Sequence, residues 1–293
     1  MPHWTLVIIG GGAAGLSAAA AAAAAASGQS CLLIDRMGGG GELMNLGTLH
    51  DLGEDLTGPD LMARLQEDAM TAGAELGLAE VTGLARTSTG WCIETDDETH
   101  TAAAVILATG LAPGTLGLSN EAEFEGMGLS HCAACDGPLY AGQAVVVAGA
   151  DRWAVQEAVE LAAATCRVTL ITQNEPVPVA DTVTVIAGRI TALEGANGLD
   201  SITVQTGSAP AQRIETPVVF LQTGRRPAVD FAPPALARDA DGRLITDGSL
   251  RTNLPGLFAA GDTRAGASRT LAAAMADGRL AAESALSAAG LKT

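Results

Sequence analysis

The chain has 293 residues, 48% of them hydrophobic, which is enough apolar material for one large domain or two ordinary ones and excludes disorder. Its 33 acidic residues outweigh 16 basic ones, and the formal net charge of -17 repels nucleic acid and anionic membrane surfaces. Five cysteines, at 31, 92, 132, 135 and 166, follow no secretory segment, which favours a reducing, cytoplasmic setting over a disulfide framework.

The first predicted element is a buried strand, TLVIIG at 5–10; it has no basic region before it and so does not read as a signal peptide. Next come the turn Gly10-Gly11-Gly12 and an alanine-rich helix from Ala13 to Ala26. That run is too short to span a bilayer, and alanine has the highest helix propensity. CLLID at 31–35 is a second strand that ends in an acid. Together they form a βαβ unit with G-x-G-x-x-G at Gly10, Gly12 and Gly15, the pattern that lets backbone approach a pyrophosphate at a helix N-terminus. Asp35 stands at the position expected to bind a ribose hydroxyl.

A helix is predicted over 58–74, followed by strands near 78–86, 91–95 and 104–108, the last running into Thr109-Gly110. A second βαβ candidate begins at Gln143, and further strands are expected at 183–187, 200–205 and 217–221. LFAAGD at 257–262 reads as a strand entering an acidic turn, and Thr270 to Ala289 as a closing helix. The duplicated βαβ predicts an α/β fold of two Rossmann-like three-layer domains, the second inserted in the first. Residues 1–115 and 245–293 would form one and 116–244 the other.

SHCAACDGPLY places Cys132 and Cys135 three apart, where one helical turn lets both thiols close a small disulfide ring. The spacing also fits half a zinc site, but no second CxxC follows, and no metal is expected. Asp136 can move the proton that thiol–disulfide exchange requires, or simply form the turn. His131 can favour a thiolate or serve as a surface residue.

GGGAAG (10–15), GGEL (40–43), ILATG (106–110), CAACDG (132–137), TGRRP (223–227), FAAGD (258–262) and RTLAAAMADG (269–278) occur here in one order. In this the chain resembles the low-molecular-weight thioredoxin reductase family over nearly its whole length. The resemblance implies FAD as cofactor, held by Gly10, Gly12, Ala13, Ala14, Gly15, Asp35, Arg36, Gly41, Glu42, Leu43, Asp51, Val81, Thr109, Gly110, Gly261, Asp262, Arg269 and Thr270. It further implies that Cys135 faces the flavin, that Cys132 exchanges with the partner thiol, that Asp136 is the acid/base, and that the chain forms a homodimer.

Two departures bear on the electron source. The second fingerprint should read G-x-G-x-x-A, and here it is Gly149-Ala150-Asp151-Arg152-Trp153-Ala154, with a carboxylate where phosphate should lie. Where NADPH-using members place a histidine and clustered arginines, this chain has Thr172-Gln173-Asn174-Glu175 and no arginine until Arg189. The expectation is therefore an FAD-dependent dithiol/disulfide oxidoreductase working without NADPH, and closest in character to members linked to ferredoxin. Its partner would be a thioredoxin-like protein or a small-molecule dithiol or disulfide, with ferredoxin or oxygen as the other electron partner. The alternatives are a flavin-dependent thiol oxidase, an ordinary NADPH-dependent thioredoxin reductase, and a non-enzymatic flavoprotein scaffold or sensor.

Overall fold

The computed structural model describes all residues except 26–29, 46–48, 50–55, 174–176 and 291–293. The chain divides into two compact units, Met1–Ala112 with Arg226–Thr293, and Pro113–Arg225.

The first unit opens with β1 (His3–Ile9), α1 (Ala13–Ala25) and β2 (Cys31–Asp35). After α2 (Gly58–Ala72) come β3 (Glu75–Leu78), β4 (Val81–Arg86), β5 (Trp91–Thr95) and β6 (Thr99–Leu107). The chain leaves through β7 (Leu111–Pro113). The second unit holds α3 (Glu121–Phe124), β8 (Leu129–Ser130), α4 (Ala133–Asp136), β9 (Ala144–Ala148), α5 (Arg152–Ala163) and β10 (Arg167–Ile171). It continues with β11 (Val183–Ile186), β12 (Arg189–Glu194), β13 (Ser201–Gln205), β14 (Gln212–Glu215) and β15 (Val219–Leu221). The return runs through β16 (Arg225–Pro227) to β17 (Leu257–Ala259) and α6 (Leu271–Ala288).

In the first unit the described strands form a sheet of order β3-β2-β1-β6-β5-β4, with β17 also paired to β6. The members from β3 to β6 and β17 run parallel, whereas β4 and β5 are antiparallel. Parallel strands are covered on both faces, which is why LVII, CLLI and AVIL read as unbroken apolar runs. On one face α1 lies among α2, α6 and the sheet, with Ala18, Ala19 and Ala22 buried. The alanine run has a steric cause. A Cβ on Gly278 of α6 would lie 2.0 Å from the carbonyl oxygen of Ala14, so the two helices meet backbone to backbone. The other face is closed by Val229, Ala232, Leu236 and Leu244 against Trp4 and Trp91. These contacts bring the return at Arg226 into the first unit, so residues 226–244, expected in the inserted domain, pack elsewhere.

The second unit repeats the plan with the parallel order β11-β10-β9-β15-β8 and adds an antiparallel sheet, β12-β13-β14. Among the described residues no helix is long and apolar enough to cross a membrane.

Candidate functional site

The first glycine turn joins β1 to α1. Gly10 has φ +105°, and a Cβ there would meet the Ala108 carbonyl oxygen at 2.5 Å; one on Gly15 would meet the Gly10 oxygen at 1.8 Å. Both positions therefore exclude every other residue. Gly12 is different, since among the described residues a Cβ there would touch nothing within 4 Å. The N-terminus of α1 thus has open space before it, and no acidic side chain lies in its first turn. Such an end receives an anion through free N–H groups and the positive pole of the helix.

Other predicted residues gather around this turn. Gly40 donates its N–H to the Gly11 carbonyl at 2.7 Å, and a Cβ on Gly41 would be 4.0 Å from the Gly12 Cα. This brings the 3-10 turn Gly41–Asn45, with exposed Glu42 and buried Leu43, to the fingerprint. Thr109 stands beside Gly10, its Oγ1 3.5 Å from that of Thr263, and Gly110 follows it. Gly261 has φ +72° and approaches Ala14, so the Gly261–Thr263 turn also abuts the start of α1. Asp262 lies 3.6 Å from the guanidinium of Arg269. Arg269 holds the left-handed conformation at φ +56°, which costs an L-residue about 1 kcal/mol, and Thr270 then caps α6 by accepting the Ala273 N–H at 3.3 Å.

Asp35 has a task that its sequence position did not announce. One carboxylate oxygen accepts the Gly11 N–H at 2.7 Å, and the other accepts those of Met37 at 2.8 Å and Gly39 at 2.9 Å. It ties the glycine turn to the loop after β2, where Arg36 is exposed. Its carbonyl accepts from Ala79 at 3.2 Å, which brings the chain entering Val81 beside it. Asp51 lies outside the described residues. Sequence reasoning missed the pair Arg264–Asp277, whose Nε and Nη2 donate to the carboxylate at 2.6 and 2.8 Å. Asp277 also accepts the Gly261 N–H at 3.1 Å and so pins the acidic turn to α6. No fixed spacing in sequence announces such a pair.

The second glycine turn, between β9 and α5, is closed by its own side chain. Gly149 fits as a fingerprint glycine should, since a Cβ there would meet the Gln222 carbonyl oxygen at 2.1 Å. Asp151 is the N-cap of α5, and its Oδ1 accepts the N–H groups of Trp153 at 3.0 Å and Ala154 at 2.9 Å. The donors that would face a pyrophosphate already face a carboxylate. Trp153 stays half-exposed under the Arg152 guanidinium, 4.5 Å from its ring centroid. A cavity of about 290 Å³ lies here, lined by Gly149, Ala150, Asp151, Gln173, Gln222, Thr223 and Gly224, and no basic side chain is among them.

Cys132 and Cys135 are joined as a disulfide, with Cα atoms 5.3 Å apart. Cys132 is the N-cap of the four-residue α4, and its Sγ accepts the Cys135 N–H at 3.2 Å. Ser130 organises the turn: its hydroxyl donates to Asp136 Oδ2 at 2.7 Å and accepts the Cys132 N–H at 3.2 Å. His131 pairs with Glu125 at 3.2 Å on the surface. Burial pushes the Cys31 thiol up to about 12 and also raises that of Cys166, so both stay protonated at neutral pH. Among the described residues no three His, Cys, Asp or Glu side chains converge as a metal site.

Comparison with known proteins places these features in context. The profile of the family described as pyridine nucleotide-disulphide oxidoreductase matches residues 4–278. A thioredoxin reductase of Treponema pallidum is 32% identical over 246 residues, 79% of either chain. The crystal structure of Lactococcus lactis thioredoxin reductase matches 98% of this chain and 99% of its own, with a TM-score of 0.74 at 27% identity. A ferredoxin-flavin thioredoxin reductase of Clostridium acetobutylicum covers 99% of this chain and 98% of its own, with a TM-score of 0.56 at 25% identity.

Proposed function

Because the chain belongs to the pyridine nucleotide-disulphide oxidoreductase family, in its thioredoxin-reductase-like branch, we propose that it links FAD to a thiol or disulfide partner without drawing electrons from NADPH. The family makes it an FAD-dependent disulfide oxidoreductase. The first glycine turn fits that cofactor through the open space beside Gly12 and a first turn of α1 that carries no acidic side chain. Gly10, Gly12, Ala13, Ala14 and Gly15 would hold it by backbone, with Asp35, Thr109, Gly110, Gly261 and Asp262 around them. When bound, FAD would supply a second two-electron redox group beside the Cys132–Cys135 pair, one that can also pass electrons singly.

Cys132 is the sulfur assigned to the partner and Cys135 the resolving one. The Cys135 N–H directed at Cys132 Sγ favours a thiolate there, and the Ser130 hydroxyl bonded to Asp136 supports Asp136 as the group that carries a proton to or from the turn. The partner would be a thioredoxin-like protein or a small dithiol or disulfide. A ferredoxin fits as the other electron partner by analogy with the Clostridium relative, and oxygen is the alternative. The homodimer and the cytoplasmic setting belong to the same proposal.

One observation supports the reading that NADPH is not the electron source: the Asp151 carboxylate occupies N–H donors at the start of α5. The rival reading, an NADPH-dependent reductase, draws support from the Treponema and Lactococcus relatives, both named thioredoxin reductases. Titration of the oxidised protein with NADPH and with NADH, followed by Trp153 fluorescence and calorimetry, separates the two. We expect no saturable binding below about 1 mM, and a micromolar Kd would sustain the rival.

A further inference from the structure

The redox turn rests on α5, the helix that Asp151 caps. Ala133, the first residue of α4, packs with Ala154, Ala158 and Leu161, and a Cβ on Gly137 would meet Leu161 Cδ2 at 2.7 Å. Glu157 lies on that same face, because positions 154, 157, 158 and 161 fall along one stripe of a helix. Its Oε2 is buried without a hydrogen-bond partner among the described residues.

We propose that Glu157 is a positioning residue for the Cys132–Cys135 pair and takes up one of the two protons consumed when the disulfide is reduced. The inference rests on the redox reading of that pair.

The groups that bear on its carboxyl together raise its pKa above the ordinary carboxylate value. Burial is the largest influence and favours the protonated form; Glu160 and Asp151, on and capping the same helix, add to it. The Gln222 side-chain amide and the Ala133 N–H, at the start of the redox turn, favour the carboxylate. Reduction by a dithiol breaks the Cys132–Cys135 S–S bond, forms the reductant's own disulfide, and brings two electrons and two protons to the protein. Cys135 takes one proton as a thiol, Cys132 is left as a thiolate, and the new negative charge beside Ala133 tips Glu157 to bind the second proton. Charge balances, since the carboxylate lost equals the thiolate gained. A neutral Glu157 then removes repulsion from the attacking sulfur, whose thiolate form is the nucleophile.

Infrared difference spectroscopy of the FAD-loaded protein, reduced by dithiol minus oxidised, tests this without relying on any variant. The wild type should show a new protonated-carboxyl C=O stretch that shifts in D2O. Glu157→Gln should lose it while Asp136→Asn keeps it, and because the dithiol brings both protons, reduction near neutral pH should release one more proton to solvent per pair reduced in Glu157→Gln than in the wild type. Absence of the band in the wild type, or its persistence in Glu157→Gln, overturns the proposal. A thiol count made on the same samples keeps the two readings apart: two new thiols without the band refute Glu157 alone, and no new thiols refute the redox pair as well.

Discussion

Gly12 and Asp151 occupy equivalent positions in two glycine turns, and the difference between them decides what each helix start can receive. At Gly12 a Cβ would meet nothing within 4 Å among the described residues, whereas the Asp151 side chain already accepts two N–H groups of α5. A carboxylate about 4 Å from a phosphate charge opposes binding by about 4 kcal/mol at an effective dielectric of 20, the weight of a thousandfold in affinity. The sequence made this legible because the fingerprint fixes which position must be glycine. Ser130, Gln222 and Glu157 were not legible, since their roles arise only when β8, the end of β15 and α5 meet α4. At Cys135 the proposed role yields a direct expectation. Cys135→Ser should leave bound FAD oxidised after excess dithiol while the wild type bleaches, as read from the flavin visible band; bleaching of the variant at the wild-type rate would remove Cys135 from the relay.

The elements that came through from sequence are those whose burial pattern is regular. The parallel strands β1, β2, β6, β9 and β10 are continuous apolar runs, and α1 and α6 are marked by alanine. The stretch from 228 to 256 has no such period, yet Val229, Ala232, Leu236 and Leu244 fill one face of the first unit, which explains why the expected crossing near 245 falls instead at Arg226. The contact of α1 with α6 was likewise invisible, because a helical glycine in sequence does not say whose backbone it meets. Gly278→Ala tests that contact. The added methyl would lie 2.0 Å from the Ala14 carbonyl oxygen, against a backbone that cannot swing aside. We expect overpacking to cost roughly 1–3 kcal/mol, seen as a lower Tm, together with reduced FAD retention because α1 begins at the fingerprint. An unchanged Tm and full FAD content would show that the helices can part without loss.

At the scale of the whole molecule, one chain carries two Rossmann-like units with different fates. The first keeps an open glycine turn that fits FAD, and the second keeps the fold, turns its helix start inward onto Asp151, and packs the redox turn against the Ala154, Ala158 and Leu161 face of the same helix. The net charge of -17 adds a general repulsion toward acidic partners, so a ferredoxin would have to dock at a local arginine-rich surface. What most directly tests this account is anaerobic bleaching of the flavin visible band after NADPH, NADH and a dithiol are added in separate cuvettes. The account predicts rapid bleaching by the dithiol and none by either nucleotide, and rapid bleaching by NADPH would contradict it.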